Sequence, residues 1–104
     1  MTIREVAGIL NAKWICCEEE ADTEIRYAFA SDMMSDVLAF AQGNDVLLTG
    51  TVNPQVIRTC QMVDIPVIVF VRGKEPSEEL IEQADRAGIL LMGTNHSMYI
   101  ASAM

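Results

Sequence analysis

Three segments in the second half of the chain share one design, and this repetition constrains the fold more than any other feature. Each is a short apolar run that ends in a loop with glycine or threonine and leads into a capped helical pattern: DVLLTG at 45–50, IPVIVFVRG at 65–73 and GILLMGT at 88–94. Alternating strands and helices build a parallel sheet. Because open α/β sheets bind ligands outside the carboxyl ends of their strands, the repeat predicts three loops gathered at one sheet edge.

The first half of the chain adds a helix and two strands to this repeat. Thr2 and Glu5 have the spacing of a capping box, and Asn11 suits the end of the helix that follows. Residues 13–17, which include Trp14, predict one strand, and residues 24–30, where hydrophobicity alternates, predict a second at an edge of the sheet. Residues 1–104 therefore predict a single α/β domain with a mostly parallel sheet of about five strands and helices on both faces.

Capping residues mark the helices of the second half. Asn53 precedes Pro54, which is favoured at a first helical position because its missing N–H is not needed there. Ser77 suits the start of a helix over 78–87, and Gly88 suits its end. The unbroken apolar run at 67–71 is typical of a strand that is covered on both faces, so we expect it to be central.

Charge and composition exclude several classes of protein. The net charge is −8 and only 7 residues are Lys or Arg, which argues against nucleic acid as a partner. No apolar stretch is long enough to span a bilayer, and the N-terminus lacks the pattern of a signal peptide, so we expect a cytoplasmic protein without a membrane partner.

The three cysteines do not have the spacing of a metal site. Cys16 and Cys17 are sequence neighbours, whose side chains point to opposite faces of a strand, and Cys60 is far along the chain. Free thiols in a reducing compartment fit this pattern best, with a redox-sensing vicinal pair as the alternative. We expect neither a metal nor a cofactor.

The helix predicted over 33–42 has almost no polar surface. In a small domain such a helix is often covered by a second subunit, so we expect a homo-oligomer, with a dimer favoured. The alternative is an adaptor that binds another protein through the same surface. The residues assigned to the interface are Met33, Met34, Val37, Phe40, Met98 and Tyr99.

The three loops at the carboxyl ends of the strands are the candidate ligand site. Backbone N–H groups at helix N-termini attract anions, and Arg72 follows the central strand, where it could bind a phosphate or carboxylate. The alternative is that these residues only cap helices. No P-loop is present, and His96 lacks the partners of a catalytic triad, so no catalytic residue is assigned. The candidate ligand residues are Gly50, Thr51, Asn53, Arg72, Thr94, Asn95 and Ser97.

Two segments resemble known families. The stretch IPVIVFVRGKEPSEELIEQADRAGILLMGTNHSMYIAS resembles the N-terminal domain of HPr kinase/phosphorylase, and FASDMMSDVLAFAQGNDVLLTG is similar to the DRTGG domain family. The letters that name the DRTGG family are absent, since the matching loop reads GTVNPQ. The fold of these modules resembles the N-terminal domain of Mur ligases.

This resemblance implies a stand-alone, non-catalytic regulatory domain. Related modules are attached to phosphotransacetylases and to regulated pyrophosphatases, and are thought to dimerise. We therefore expect a homo-oligomer that senses a nucleotide or a phosphorylated metabolite and acts on a regulated enzyme. The alternative is a protein-interaction adaptor with no small-molecule ligand.

Overall fold

A five-stranded sheet with helices on both faces makes up the part of the chain that the computed structural model describes, residues 2–16, 22–25, 28–30 and 45–95. The helices are α1 (Ile3–Leu10), α2 (Gln55–Met62) and α3 (Glu78–Ala87). The strands are β1 (Lys13–Cys16), β2 (Ala28–Ala30), β3 (Val46–Thr49), β4 (Val67–Phe70) and β5 (Leu90–Gly93).

The order of the strands in the sheet is β1-β5-β4-β3-β2. Strands β2, β3, β4 and β5 are parallel, whereas β1 pairs with β5 in the antiparallel direction. The α/β class is therefore confirmed, and the sheet is mixed. The sequence predicts β1 as a strand without giving its direction, because hydrophobic alternation is the same in both orientations.

Alternation along the buried strands divides the core into two layers. On β4, Ile68 and Phe70 face α2 and α3, while Val67 and Val69 face α1. Strand β4 lies in the middle of the sheet, as its unbroken apolar run predicts, and all four of its residues are buried. Burying one such side chain stabilises the fold by roughly 1.5–3 kcal/mol.

The predicted caps are confirmed at both ends of α1. Thr2 and Glu5 form the capping box, with the Glu5 N–H donating to Thr2 Oγ1 at 3.3 Å. The Thr2 backbone N–H donates in return to the Glu5 carboxylate, and this bond lowers the pKa of that carboxyl. Asn11 ends α1 in the left-handed conformation, with φ at 51°.

The caps of α3 match the sequence prediction residue by residue. Ser77 Oγ accepts a hydrogen bond from the Leu80 N–H at 3.2 Å. Gly88 follows Ala87 with φ at 72°, a conformation that glycine adopts without steric cost. The turn after Gly88 leads directly into β5, which is how α3 and β5 are joined.

Several sequence predictions fall outside the described residues. They include the helix over 33–42, Cys17 and His96, so the predicted homo-oligomer and its surface stay predictions. Cys16 and Cys60, the two described cysteines, are free. Of the described helices, none has both the length and the hydrophobicity to cross a bilayer. The interface and ligand residues in this group are Met33, Met34, Val37, Phe40, Ser97, Met98 and Tyr99.

Candidate functional site

The carboxyl ends of β3, β4 and β5 lie side by side, as the repeat predicts. The Val71 N–H donates to the Thr49 carbonyl at 3.0 Å, which links the end of β4 to the end of β3. The Thr94 N–H donates to the Phe70 carbonyl at 2.9 Å, and the Gly73 N–H donates to the Thr94 carbonyl at 2.9 Å. These bonds join the ends of the three strands, and two contacts add predicted ligand residues: Arg72 lies against Gly50, and the Asn95 side chain lies near Gly73. Thr51 and Asn53 lie on the loop that follows Gly50, and a role of any of these residues in binding a ligand stays a prediction.

Arg72 lies in a tight turn directly after the central strand. Its φ is 59° and that of Gly73 is 68°, both in the left-handed region, and the Lys74 N–H closes the turn on the Val71 carbonyl at 3.2 Å. A left-handed conformation costs a residue with a Cβ roughly 1–2 kcal/mol. The Gly73 N–H then joins this turn to the end of β5 through its bond to the Thr94 carbonyl.

The guanidinium of Arg72 lies against the backbone of Gly50. A Cβ built at position 50 would lie 3.3 Å from Cζ of Arg72, and a terminal nitrogen of the guanidinium would overlap with it. Only a residue without a side chain permits this approach. The arginine head is therefore placed over the loop between β3 and α2.

Two of the predicted ligand residues on this loop form local hydrogen bonds. Asn53 Oδ1 accepts from the Gln55 N–H at 2.9 Å, so its amide helps to cap the first turn of α2. The Thr51 N–H donates to Thr49 Oγ1 at 3.1 Å. The helix nevertheless begins at Gln55 with Pro54 in the cap position, one residue later than the sequence predicts. A contact of Asn53 with a ligand stays a prediction.

Thr94 connects the site to α1. Its hydroxyl donates to the Leu10 carbonyl at 2.9 Å, and the residue is only 4% exposed. The last carbonyls of a helix have no partner within the helix, so this bond satisfies one of them at the end of α1. The sequence also suggests Thr94 or Asn95 as the cap of a later helix, which lies outside the described residues, so that role stays a prediction.

A depression at the β1 side of the same edge was not predicted from the sequence. Its volume is about 190 Å³, and it contains the ion pair between Lys13 Nζ and Glu75 Oε1, 3.1 Å apart. Lys74 also lines it. No local pattern indicates this site, because positions 13 and 75 become neighbours only through the pairing of β1 with β5. Its other lining residues are Asn11, Gly73, Gly93, Thr94 and Asn95.

The chemistry of this edge suits the binding of an anion. Lys13 and Lys74 supply positive charge in the depression, and Arg72 supplies it over Gly50. Among the described residues, no group of three or more His, Cys, Asp or Glu side chains could hold a metal ion. Burial in the core raises the pKa of the Cys60 thiol to about 12, so it remains protonated and is a poor nucleophile.

Comparison with solved structures supports the fold. The chain is similar to the CBS and DRTGG domains of the regulatory region of Clostridium perfringens pyrophosphatase, crystallised with its activator, diadenosine tetraphosphate. The TM-score is 0.75 at 18% identity, and the match covers 98% of this chain and 44% of that chain. The chain thus spans less than half the length of this neighbour.

Sequence comparison places the chain in a family. No curated protein matches it. The sequence profile of the DRTGG domain, in contrast, matches residues 5–104, which is nearly the whole length. The chain therefore belongs to the DRTGG domain family.

Proposed function

We propose that this protein is a non-catalytic regulatory domain that binds a small anionic ligand, of the nucleotide class, at the carboxyl edge of its parallel strands. The observation that carries the proposal is the placement of the Arg72 guanidinium over Gly50, in the loop that leads into α2. A guanidinium binds phosphate through paired N–H donors, and a helix N-terminus adds the positive end of its dipole.

The family supports a regulatory role. In the Clostridium perfringens pyrophosphatase, a DRTGG domain belongs to the regulatory region, and that region was crystallised with a nucleotide activator. The region also contains CBS domains, and the match covers 44% of it. Binding of a nucleotide by this chain is therefore a proposal. The resemblance to the HPr kinase N-terminal domain and the cytoplasmic location stay predictions.

A thermal-shift titration with a panel of nucleotides and phosphorylated metabolites tests the ligand. A ligand at 100 times its dissociation constant stabilises the folded state by about 2.7 kcal/mol. Arg72→Gln should abolish this stabilisation, because the amide keeps hydrogen-bonding ability but lacks the charge and the paired donors. Arg58→Gln, at an exposed arginine on α2, should leave it unchanged.

Two results would contradict the proposal. The first is a panel in which no nucleotide or phosphorylated metabolite shifts the wild-type melting temperature. The second is an equal shift in the wild-type and Arg72→Gln proteins, which would place the ligand elsewhere.

The proposal includes assembly into a homo-oligomer, with a dimer favoured, and action on a regulated enzyme. The apolar pattern at 33–42 motivates the assembly. Light scattering should give twice the chain mass of 11.5 kDa, and Val37→Glu should lower this mass because it introduces a charge into the predicted surface. A wild-type protein with the mass of one chain at high concentration would contradict the assembly alone.

A further inference from the structure

The depression at the β1 side of the edge is lined by two lysines and one carboxylate, and the ion pair between them is not needed for the stability of the fold. Lys13 and Lys74 both line it, and the only described carboxylate among its lining residues is Glu75. The ion pair between Lys13 and Glu75 lies at the surface, with the two side chains 69% and 73% exposed. A pair this exposed contributes little to stability, so the fold does not depend on it.

Strand register places this depression level with the Arg72 site. Thr49 pairs with Phe70, Phe70 pairs with Gly93, and Gly93 pairs with Lys13. These four residues therefore form one row across four neighbouring strands. With about 4.8 Å between strands, the row spans about 14 Å from the end of β3 to Lys13.

Positive groups lie at both ends of this row. The Arg72 guanidinium covers Gly50 at the β3 end, and Lys13 lies at the β1 end with Lys74 beside it. A single phosphate group is too small to contact both ends. A ligand with a chain of phosphates, or with anionic groups at both ends, can contact them together.

We propose that the Lys13 and Lys74 depression is a second anion subsite, which binds part of the phosphate chain of an elongated ligand, and that the Glu75 carboxylate occupies this position on Lys13 in the free protein. The inference rests on the proposed function and extends it from one anionic group to a chain of them. A carboxylate and a phosphate accept the same hydrogen bonds from a lysine ammonium. Binding therefore exchanges one anion for another at Lys13.

If a phosphate replaces the Glu75 carboxylate at Lys13, removing the charge of Glu75 should strengthen the binding of phosphate. Glu75→Gln removes the competing charge, so affinity for inorganic tripolyphosphate should rise about two- to fivefold, the strength of an exposed ion pair. The matched control is Asp22→Asn, because Asp22 pairs with Arg4 at 3.3 Å in an equally exposed site outside the depression. Both variants reduce the net negative charge by one.

The experiment is a titration of ¹⁵N-labelled protein with inorganic tripolyphosphate, followed by NMR. The amide signals of Lys13, Lys74 and Asn95 should shift saturably, and Lys13→Gln should weaken binding about tenfold, as expected for loss of a charged donor. Arg4→Gln should leave the affinity unchanged. Equal tightening in Glu75→Gln and Asp22→Asn would overturn the inference, since net charge alone would then account for the effect.

Failure of this inference is distinguishable from failure of the proposed function. If the Lys13 and Lys74 signals do not respond while nucleotides still stabilise the protein through Arg72, the second subsite is wrong and the proposed function stands. If the Lys13 signal responds but Arg72→Gln does not change nucleotide stabilisation, the subsite stands and the Arg72 site is wrong.

Discussion

The hydroxyl of Thr94 offers a direct test of how the edge of the sheet is held to α1. It donates to the Leu10 carbonyl at 2.9 Å, and both residues are buried, with 4% and 3% exposure. Water therefore has little access to replace this bond when it is removed. Two substitutions separate the parts of the side chain: Thr94→Ser removes only the methyl group, and Thr94→Ala removes the methyl group and the hydroxyl.

The expected loss in the free energy of unfolding follows from the groups that each variant removes and from the burial of the Leu10 carbonyl. Losing the methyl group should cost about 0.8 kcal/mol in each variant. Losing the hydroxyl should cost the alanine variant a further 1–2 kcal/mol or so, because the carbonyl at the end of α1 is then left without this donor. In a domain of this size each kcal/mol lowers the melting temperature by roughly 4–8 °C.

Urea denaturation of both variants, checked by calorimetry, measures the difference. The serine variant should be more stable than the alanine variant, with equal m values. Equal stability of the two would refute the structural role of the hydroxyl. A nucleotide titration then assigns the remaining role of Thr94: if the ligand stabilises both variants equally, the hydroxyl serves the fold and not the ligand.

Three further predictions concern the site, a cap and the core. Gly50→Ala should displace the Arg72 guanidinium and reduce nucleotide stabilisation, while the free energy of unfolding changes by only about 0.5 kcal/mol, because the displaced group is the flexible end of a side chain. Ser77→Ala should lower the free energy of unfolding by about 1 kcal/mol in urea denaturation, with Ser77→Asp close to wild type, since it keeps an acceptor for the Leu80 N–H. The pKa of Cys60 is raised from 9.0 to about 12 in the folded protein, so its contribution to stability is complete below pH 9 and is lost as the pH rises from 9 to 12. Urea titrations at pH 7 and pH 10 should therefore show a steeper loss of stability in wild type than in Cys60→Ala, and equal losses would contradict the burial of the thiol.

Local patterns predict the core of this fold because each one has a local physical cause. The run at 67–71 is apolar at every position because both faces of β4 are covered, and Ser77 and Gly88 mark α3 because helix ends need hydrogen-bond partners and a left-handed residue. The direction of β1 in the sheet, in contrast, has no local physical cause. It depends on how Lys13–Cys16 pairs with β5, which only the assembled sheet determines.

The same distinction applies to the candidate site. Arg72 and Gly50 could be assigned from sequence because each follows an apolar strand, and parallel strands bring their carboxyl ends together. The close approach of Arg72 to Gly50 could not be predicted from the sequence, because it depends on the left-handed turn at Arg72. Lys13 was missed because an antiparallel strand begins where its parallel neighbour ends, which places its first residue at the same edge of the sheet as the candidate site.

The distribution of charge in space explains how an acidic chain can still bind an anion. The seven basic residues are scattered in the sequence, yet Lys13, Arg72 and Lys74 lie along the same edge of the sheet. At physiological ionic strength, exposed charges are screened over about 8 Å, so a ligand in the depression interacts most strongly with the charges that line it, which are Lys13, Lys74 and Glu75. The net charge of −8 then opposes long polyanions such as nucleic acids, which extend beyond the edge, more than it opposes a small phosphate chain. Affinity for tripolyphosphate should accordingly fall as salt rises, and an affinity that is independent of salt would mean that these cations do not bind it.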